Sequence, residues 1–148
     1  MKRRDGGAEF FEQLSAVARA VRVAAADAYA THEIGSLQAK CLRVIGAREK
    51  LSQAELARAT LTDPALIGRV LESLVERGLV KRKRSDADRR QYLLALTAAG
   101  QRARDRVVAV RSSVAKRITS ALDARDVADF ERIAAKIRAV QSTAGRRS

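Results

Sequence analysis

The chain has 148 residues, a formal net charge of +13, 47% hydrophobic residues and a single cysteine. This hydrophobic content argues against a disordered chain, one cysteine cannot form an intramolecular disulfide, and no apolar run reaches membrane-spanning length. We therefore expect one soluble cytoplasmic domain of ordinary size. The positive charge predicts a polyanionic partner, and solubility alone is the alternative explanation.

Two helices are predicted in the first third of the chain. Apolar residues between Phe10 and Ala28 recur in steps of 4, 3, 4, 3 and 4, which is typical of a helix with a narrow apolar seam, here over about 9–31. Steps of 3, 4 and 3 predict a second helix that reaches about residue 47, with apolar positions at Ile34, Leu37, Cys41 and Val44.

A short helix over 53–60 is predicted next. Ser52 and Glu55 have the spacing of a capping box, in which each side chain accepts a hydrogen bond from the other residue's backbone N–H. Leu51, just before them, forms a short strand at most.

A second short helix, over 64–77, follows a tight turn. Asp63 can cap this helix, and Pro64 fits its first position because the N–H that proline lacks has no partner there. Gly78 can end the helix in the left-handed conformation. Helical spacing predicts a buried face made of Ile67, Leu71 and Leu74, with Val70 beside them.

A β-hairpin with a charged tip is predicted over 79–96. Its strands are 79–84 and 91–96, and its loop is 85–90. Residues 77–90 carry seven basic and two acidic side chains, so the positive charge is concentrated on this hairpin.

Two long helices complete the chain. Thr97 can cap the first, over about 98–121, and Asp123 can cap the second, over about 124–141. Their apolar positions are Ala103, Val107, Val110, Val114 and Ile118 in the first and Val127, Phe130, Ile133, Ile137 and Val140 in the second.

These elements predict a mainly α fold with a small β-hairpin, a winged helix-turn-helix. We expect residues 35–97 to form the DNA-binding unit, and residues 1–34 and 98–148 to form helices that join two copies in an obligate-type homodimer, with one intertwined domain per chain. The alternative is that these helices only cover their own core. The expected dimer contacts are Phe10, Leu14, Val17, Val107, Val110, Val114, Phe130, Ile133 and Ile137.

The helix over 64–77 is the predicted recognition helix. Arg69 faces outward and can bond guanine O6 and N7 together, and Ala65 can touch a thymine methyl group. Thr62 and the helix N-terminus can hold a phosphate. An ordinary exposed amphipathic helix is the alternative.

The hairpin loop is the predicted wing. Its arginines, Arg89 and Arg90, can reach the minor groove, and Asp88 can pair with an arginine and fix its rotamer. A solvated charged turn is the alternative. The residues expected at the DNA are Ser52, Gln53, Thr62, Pro64, Ala65, Arg69, Arg84, Asp88, Arg89 and Arg90.

Catalytic and metal chemistry is not indicated. The sequence has no Gly-rich phosphate loop, no G-x-S-x-G and no paired histidines at metal spacing, so we expect neither an enzyme nor a metal or cofactor. Cys41 shares an apolar helix face, which favours a buried structural thiol. A redox-sensing thiol, with His32 and Arg43 near in sequence, is the alternative.

The central part of the chain resembles the MarR family of bacterial transcriptional regulators. The resemblance rests on Leu51 to Ala57, Arg69 to Val80, Asp88 to Arg90 and Leu96 to Gly100. It implies a winged-helix dimer that binds pseudo-palindromic operators, usually as a repressor, with Arg90 in the minor groove. Many members release DNA when a small phenolic or other anionic effector binds, and others respond to cysteine oxidation.

The chain departs from the family pattern in two respects. The wing loop begins with Ser85 and Asp86, where Asp-Pro is common in the family. The chain has no Trp, on which the urate-responsive subgroup of the family relies, and its 3% aromatic content argues against a stacking pocket for phenolics. The identity of the effector is therefore open.

The expected function is a sequence-specific DNA-binding transcriptional regulator, a repressor released by a small-molecule effector, and we expect it in the bacterial cytoplasm in association with the nucleoid. One alternative is an architectural protein that coats DNA without sequence preference, which the positive charge favours. A second alternative is a regulator that senses redox state through Cys41.

Overall fold

The structure, a computed structural model, describes residues 6–144, with side chains for residues 6–140. Within this range the chain forms helices α1 (Gly6–Ala30), α2 (Ser36–Gly46), α3 (Gln53–Thr60), α4 (Pro64–Glu76), α5 (Ala98–Thr119) and α6 (Ala124–Ala144), and strands β1 (Leu51–Ser52), β2 (Val80–Arg84) and β3 (Tyr92–Leu96). The predicted mainly helical fold with a small β-hairpin is confirmed. Residues 1–5 and 145–148 of the predicted terminal segments lie outside the described range.

Two compact units make up the chain, residues 1–114 and residues 115–148. The first unit contains α1 to α4, the sheet and most of α5, and the second contains the end of α5 and all of α6. This division differs from the segments predicted from the sequence, which assigned residues 35–97 to DNA binding and residues 1–34 and 98–148 to dimerisation. Those assigned roles remain predictions.

Local capping chemistry sets the ends of the two short helices. The Ser52 hydroxyl oxygen accepts a hydrogen bond from the Glu55 backbone N–H at 3.2 Å, and the Glu55 carboxylate accepts one from the Ser52 N–H at 2.7 Å. Because the backbone and hydroxyl of Ser52 bond its charged form, the pKa of Glu55 lies below the usual range. Asp63 accepts from the N–H groups of Ala65 and Leu66 at the start of α4. The predicted capping box and the predicted Asp63 cap are confirmed.

The long helices differ from the prediction at their ends. The α1 helix begins at Gly6 rather than near residue 9, and α6 continues to Ala144 rather than ending near residue 141. An apolar seam marks where a helix packs, whereas its backbone hydrogen bonds can continue past the last packed residue.

A three-stranded antiparallel sheet has the order β1-β3-β2. The predicted hairpin pairs Val80 with Leu96 and Arg84 with Tyr92, and β1 joins the other side of β3 through Leu51 and Leu94. In β2 only Val80 is buried, and residues 81–84 are all exposed. The hairpin therefore presents a continuous basic strand at the edge of the sheet.

One hydrophobic core fills the first unit. Leu42 of α2, Leu56 of α3 and Leu71 of α4 are all 0% exposed. Val107 of α5 belongs to the same core and is 1% exposed. The prediction that Val107 contacts a second copy is therefore wrong, because its own chain already covers it.

Candidate nucleic-acid interface

The recognition helix α4 has a buried face and an exposed face. Ile67, Leu71 and Leu74 are 0% exposed, as predicted, while Ala65 and Arg69 are exposed. No residue in the described range bonds or pairs with the Arg69 side chain, so its guanidinium donors are available to a ligand.

The start of α3 lies beside this helix and beside the hairpin. The Gln53 side chain covers Gly68 of α4, where a Cβ atom would lie 3.3 Å from Gln53 Nε2. Ser52 and Gln53 also line a groove of about 760 Å³ together with Arg82 of β2. The structure therefore brings the predicted residues of α3 to the recognition helix and to the basic strand.

Four residues of this groove were not among those expected at the DNA, namely Ala54, Arg82, Gln91 and Tyr92. For Arg82, the alternation of side chains between the two faces of strand β2 could have indicated its position. With Val80 buried, a side chain two residues further along, Arg82, lies on the same face of the strand.

The turn between α3 and α4 is held by bonds to its own backbone. Thr62 donates its backbone N–H to the carbonyl oxygen of Ala57 and its hydroxyl to that of Thr60. Thr62 therefore has no free donor for a phosphate, which corrects the expected contact. Leu61 lies in this turn with a φ of 51° and is 93% exposed.

Ser85 organises the wing loop from within. Its hydroxyl oxygen accepts hydrogen bonds from the backbone N–H groups of Ala87 and Asp88, each at 3.3 Å, and Ser85 itself is buried. A serine that bonds the N–H groups two and three residues later forms a turn without proline. Ser85 thus forms the turn at the start of the wing loop, where Asp-Pro is common in the family.

Asp88 has a different role from the predicted one. Its carboxylate accepts a hydrogen bond from the backbone N–H of Arg90 at 2.9 Å, and within the described residues it pairs with no arginine side chain. Asp88 therefore fixes the backbone of the loop, and the side chains of Arg89 and Arg90 are exposed.

Arg84 is the arginine that is held in place. Its guanidinium lies 5.3 Å from the centre of the Tyr92 ring, and its Nη1 donates to the carbonyl oxygen of Arg89 at 3.2 Å. Arg84 thus joins the two strands to the loop. Its stacking and hydrogen bond indicate that it orients the wing.

The structure gives no support to redox or metal chemistry. Cys41 is 0% exposed, as expected of a structural thiol, and burial raises its pKa to about 11. The redox alternative requires an exposed thiolate, which this environment does not provide. His32 is exposed just beyond α1, and residues 6–144 contain no group of three or more potential metal ligands.

A protein-family model and a mycobacterial repressor each match a large part of the chain. The model described as the MarR family matches residues 32–91. The HTH-type transcriptional repressor Rv2887 of Mycobacterium tuberculosis is 33% identical over 97 residues, which cover 66% of this chain and 70% of the repressor.

Solved structures share the fold. The apo form of MarR from E. coli has a TM-score of 0.76 at 23% identity, covering 85% of this chain and 93% of the other. A mutant MarR from E. coli complexed with operator DNA has a TM-score of 0.79 at 21% identity, covering 93% of this chain and 99% of the other. Rv2887 in complex with salicylic acid has a TM-score of 0.69 at 29% identity, covering 84% of this chain and 93% of the other.

None of the helices within residues 6–144 has the length and apolar character needed to cross a bilayer. The exposed helix α4 and the ordered basic wing are the parts expected of a winged helix-turn-helix protein. The family model and the similarity to a mycobacterial repressor indicate the same kind of protein. The chain belongs to the MarR family of winged helix-turn-helix transcriptional regulators.

Proposed function

We propose that the chain is a transcriptional repressor that binds a pseudo-palindromic operator as a homodimer and is released by a small-molecule effector. The observation that carries this proposal is the groove that Ser52, Gln53 and Arg82 line beside the exposed face of α4. A duplex on this surface meets a helix, a basic strand and an arginine-tipped loop together. The operator complex of E. coli MarR and the repressor description of Rv2887 support the same function.

Each group has a specific role in this proposal. Arg69 and Ala65 contact base edges in the major groove, while Arg89 and Arg90 enter the flanking minor groove. The backbone phosphates are bound by the half-buried Gln53 and by the exposed Arg82 and Arg84, while the N–H and hydroxyl of Ser52 are already bonded to Glu55. Pro64 has no N–H to donate, so its contribution is contact alone. In a two-fold dimer the half-site centres lie roughly 10 bp apart.

The proposed dimer is supported by apolar side chains at the surface. On α1 in the first unit, Phe10 is 47% and Val17 is 56% exposed, and on α6 in the second unit Phe130 is 58% exposed. Leu14, Ile133 and Ile137 are half-buried. Several exposed apolar side chains along one helix, such as Phe10, Phe11 and Val17 of α1, are typical of a surface that a partner covers. Val110 packs partly against its own core and Val114 is 7% exposed, so we assign the interface mainly to α1 and α6.

Binding to the chain's own upstream DNA and to random DNA tests the function. A specific repressor prefers its operator by about 10³-fold or more, whereas a coating protein, which the charge of +13 would also suit, shows little preference and a steep salt dependence. Light scattering of the same protein measures the dimer. A monomer, or equal affinity for both DNA molecules, contradicts the proposal.

Substitutions test the assigned surface. Arg69→Ala should cost about 1–3 kcal/mol of operator binding and reduce sequence preference, and Arg90→Ala should weaken binding to most sequences. Arg106→Ala, at an exposed site of α5, is the matched control and should bind as the wild type does. If Arg69→Ala and Arg90→Ala both bind the operator normally, the assignment of the surface is wrong.

A further inference from the structure

The side chain of Gln38, in the first turn of α2, forms hydrogen bonds with three different residues. Its Oε1 atom accepts from the backbone N–H of Gly35 at 3.0 Å and from Nη1 of Arg77 at 3.1 Å. Its Nε2 atom donates to the hydroxyl oxygen of Ser73 at 3.1 Å. One half-buried amide group therefore connects the start of α2 to the second half of the recognition helix α4 and to the residue that ends it.

These bonds define the orientation of α4 in a way that apolar packing does not. The buried face of α4 is a narrow row made of Ile67, Leu71 and Leu74, all 0% exposed. The hydrophobic effect has no preferred direction, whereas a hydrogen bond weakens steeply when its angle changes. The bonds of Gln38 therefore set the rotation of α4 about its own axis more sharply than the packed row does.

The rotation of α4 decides where the side chain of Arg69 reaches. Ser73 lies four residues after Arg69, so the two residues are neighbours on one side of the helix. A rotation of about 10° moves the tip of a long side chain by roughly 1 Å, whereas a binding group must be held within about 0.5 Å of its productive position. A bond at Ser73 therefore controls the side of α4 that carries Arg69.

The α4 helix is held on two flanks. On one flank the Gln53 side chain of α3 covers Gly68, where an added Cβ atom would lie 3.3 Å from Gln53 Nε2. Gly68 and Ser73 are five residues apart, which places them about 140° apart around the helix. Gln38 thus holds a different flank from the one that α3 covers.

The α2 helix is itself a fixed support for Gln38. Its Leu42 side chain is 0% exposed in the core. Two residues after Gln38, the Nζ atom of Lys40 donates a hydrogen bond of 2.6 Å to the carbonyl oxygen of Thr60, the last residue of α3. The α2 helix therefore bonds both helices of the helix-turn-helix, and Gln38 provides the bonds to α4.

We propose that Gln38 is a positioning residue for base recognition, which fixes the rotation of α4 so that Arg69 meets the base edges in the major groove. The inference rests on the proposed function, in which Arg69 contacts bases. Gln38 carries no charge, so the loss of its bonds leaves the attraction to phosphates intact. Binding to any duplex should then continue, while discrimination between sequences weakens.

The ratio of operator affinity to random-DNA affinity, measured with the full chain at one salt concentration, tests this role. Gln38→Leu removes all three bonds and should lower the ratio about tenfold, with random-DNA affinity unchanged within about twofold. A purely structural role would lower the folded fraction, which reduces both affinities equally and leaves the ratio unchanged. Gln38→Glu keeps an acceptor for Gly35 and Arg77 and should recover most of the ratio.

Two further variants complete the test. Gln101→Leu is the matched control, because the Gln101 side chain bonds Asp105 of its own helix α5, and its ratio should equal that of the wild type. In an Arg69→Ala background, Gln38→Leu should lower the ratio little further, since the side chain that it positions is absent.

An unchanged ratio in Gln38→Leu, or an equal loss in Gln38→Glu, overturns the inference while the wild type still prefers its operator. A full tenfold loss in the Arg69→Ala background overturns it as well. A wild type that binds operator and random DNA equally contradicts the proposed function, and the role of Gln38 falls with it.

Discussion

The hydroxyl of Thr97 donates a hydrogen bond to the carbonyl oxygen of Gly78, with an oxygen–oxygen distance of 2.6 Å. The same hydroxyl oxygen accepts from the Gly100 backbone N–H at 2.9 Å, and the Thr97 N–H donates to the carbonyl oxygen of Leu79 at 3.1 Å. One residue therefore caps α5 and ties it to the chain just after the recognition helix. The hairpin begins and ends at this junction.

Loss of the Thr97 hydroxyl should destabilise the first unit. Thr97→Val leaves the Gly78 carbonyl and the Gly100 N–H without their partner, which should lower the free energy of unfolding by about 1–2 kcal/mol. Thr97→Ser keeps the hydroxyl and should recover most of this loss. Urea denaturation measures both. Thr119→Val is the control, since the Thr119 hydroxyl bonds only carbonyls of its own helix, and an equal effect of both valine variants would contradict the prediction.

Gly100 should tolerate no side chain. A Cβ atom at this position would lie 1.8 Å from the carbonyl oxygen of Leu79, which is backbone and cannot rotate away. Gly100→Ala should therefore cost about 3 kcal/mol or more and lower the melting temperature. Gly6→Ala, at a helical site with nothing within 4 Å of the added Cβ, should be neutral or stabilising. Similar melting temperatures for the two variants would show that the backbone shifts freely at Gly100.

The features that sequence predicted best depend on neighbouring residues. Ser52 sets the start of α3, Asp63 sets the start of α4, and Gly78 sets the end of α4. The hydrogen-bond partners of these residues lie within a few positions along the chain. Gly78 adopts a φ of 67°, the left-handed conformation expected of a helix-terminating glycine. Such bonds form wherever the local pattern occurs, so no knowledge of the tertiary structure was needed.

What the sequence did not predict depends on distant parts of the chain. Val107 and Phe130 occupy the same kind of apolar seam, yet Val107 is 1% and Phe130 is 58% exposed. Spacing cannot tell a seam that packs on its own core from one that faces solvent. The bond between Lys40 and Thr60 spans 20 positions, and no periodicity indicates it. The Asp88 carboxylate could bond either an arginine side chain or a backbone N–H of its own loop, and in the structure it bonds the backbone N–H of Arg90.

The stacking of Arg84 on Tyr92 should preorganise the wing for DNA. Tyr92→Leu removes the ring and should weaken operator binding by about two- to fivefold, which matches the energy of an exposed cation–π contact. Tyr92→Phe keeps the ring and should bind as the wild type does. Fluorescence anisotropy with a labelled operator measures the difference. If Tyr92→Phe is as weak as Tyr92→Leu, the tyrosine hydroxyl rather than the stacking is responsible.

Cys41 should be inert toward oxidants in the folded protein. Since burial raises its pKa to about 11, the thiolate fraction at pH 7.5 is on the order of 10⁻⁴–10⁻³, and the side chain is 0% exposed. A thiol reagent should therefore label the native chain at least about 100-fold more slowly than the chain in guanidinium, even at pH 9. Operator binding after peroxide treatment should equal that of the untreated protein, and Cys41→Ser should behave identically. Loss of binding in the wild type alone would instead establish Cys41 as a sensor, and would require an opening motion that exposes α2.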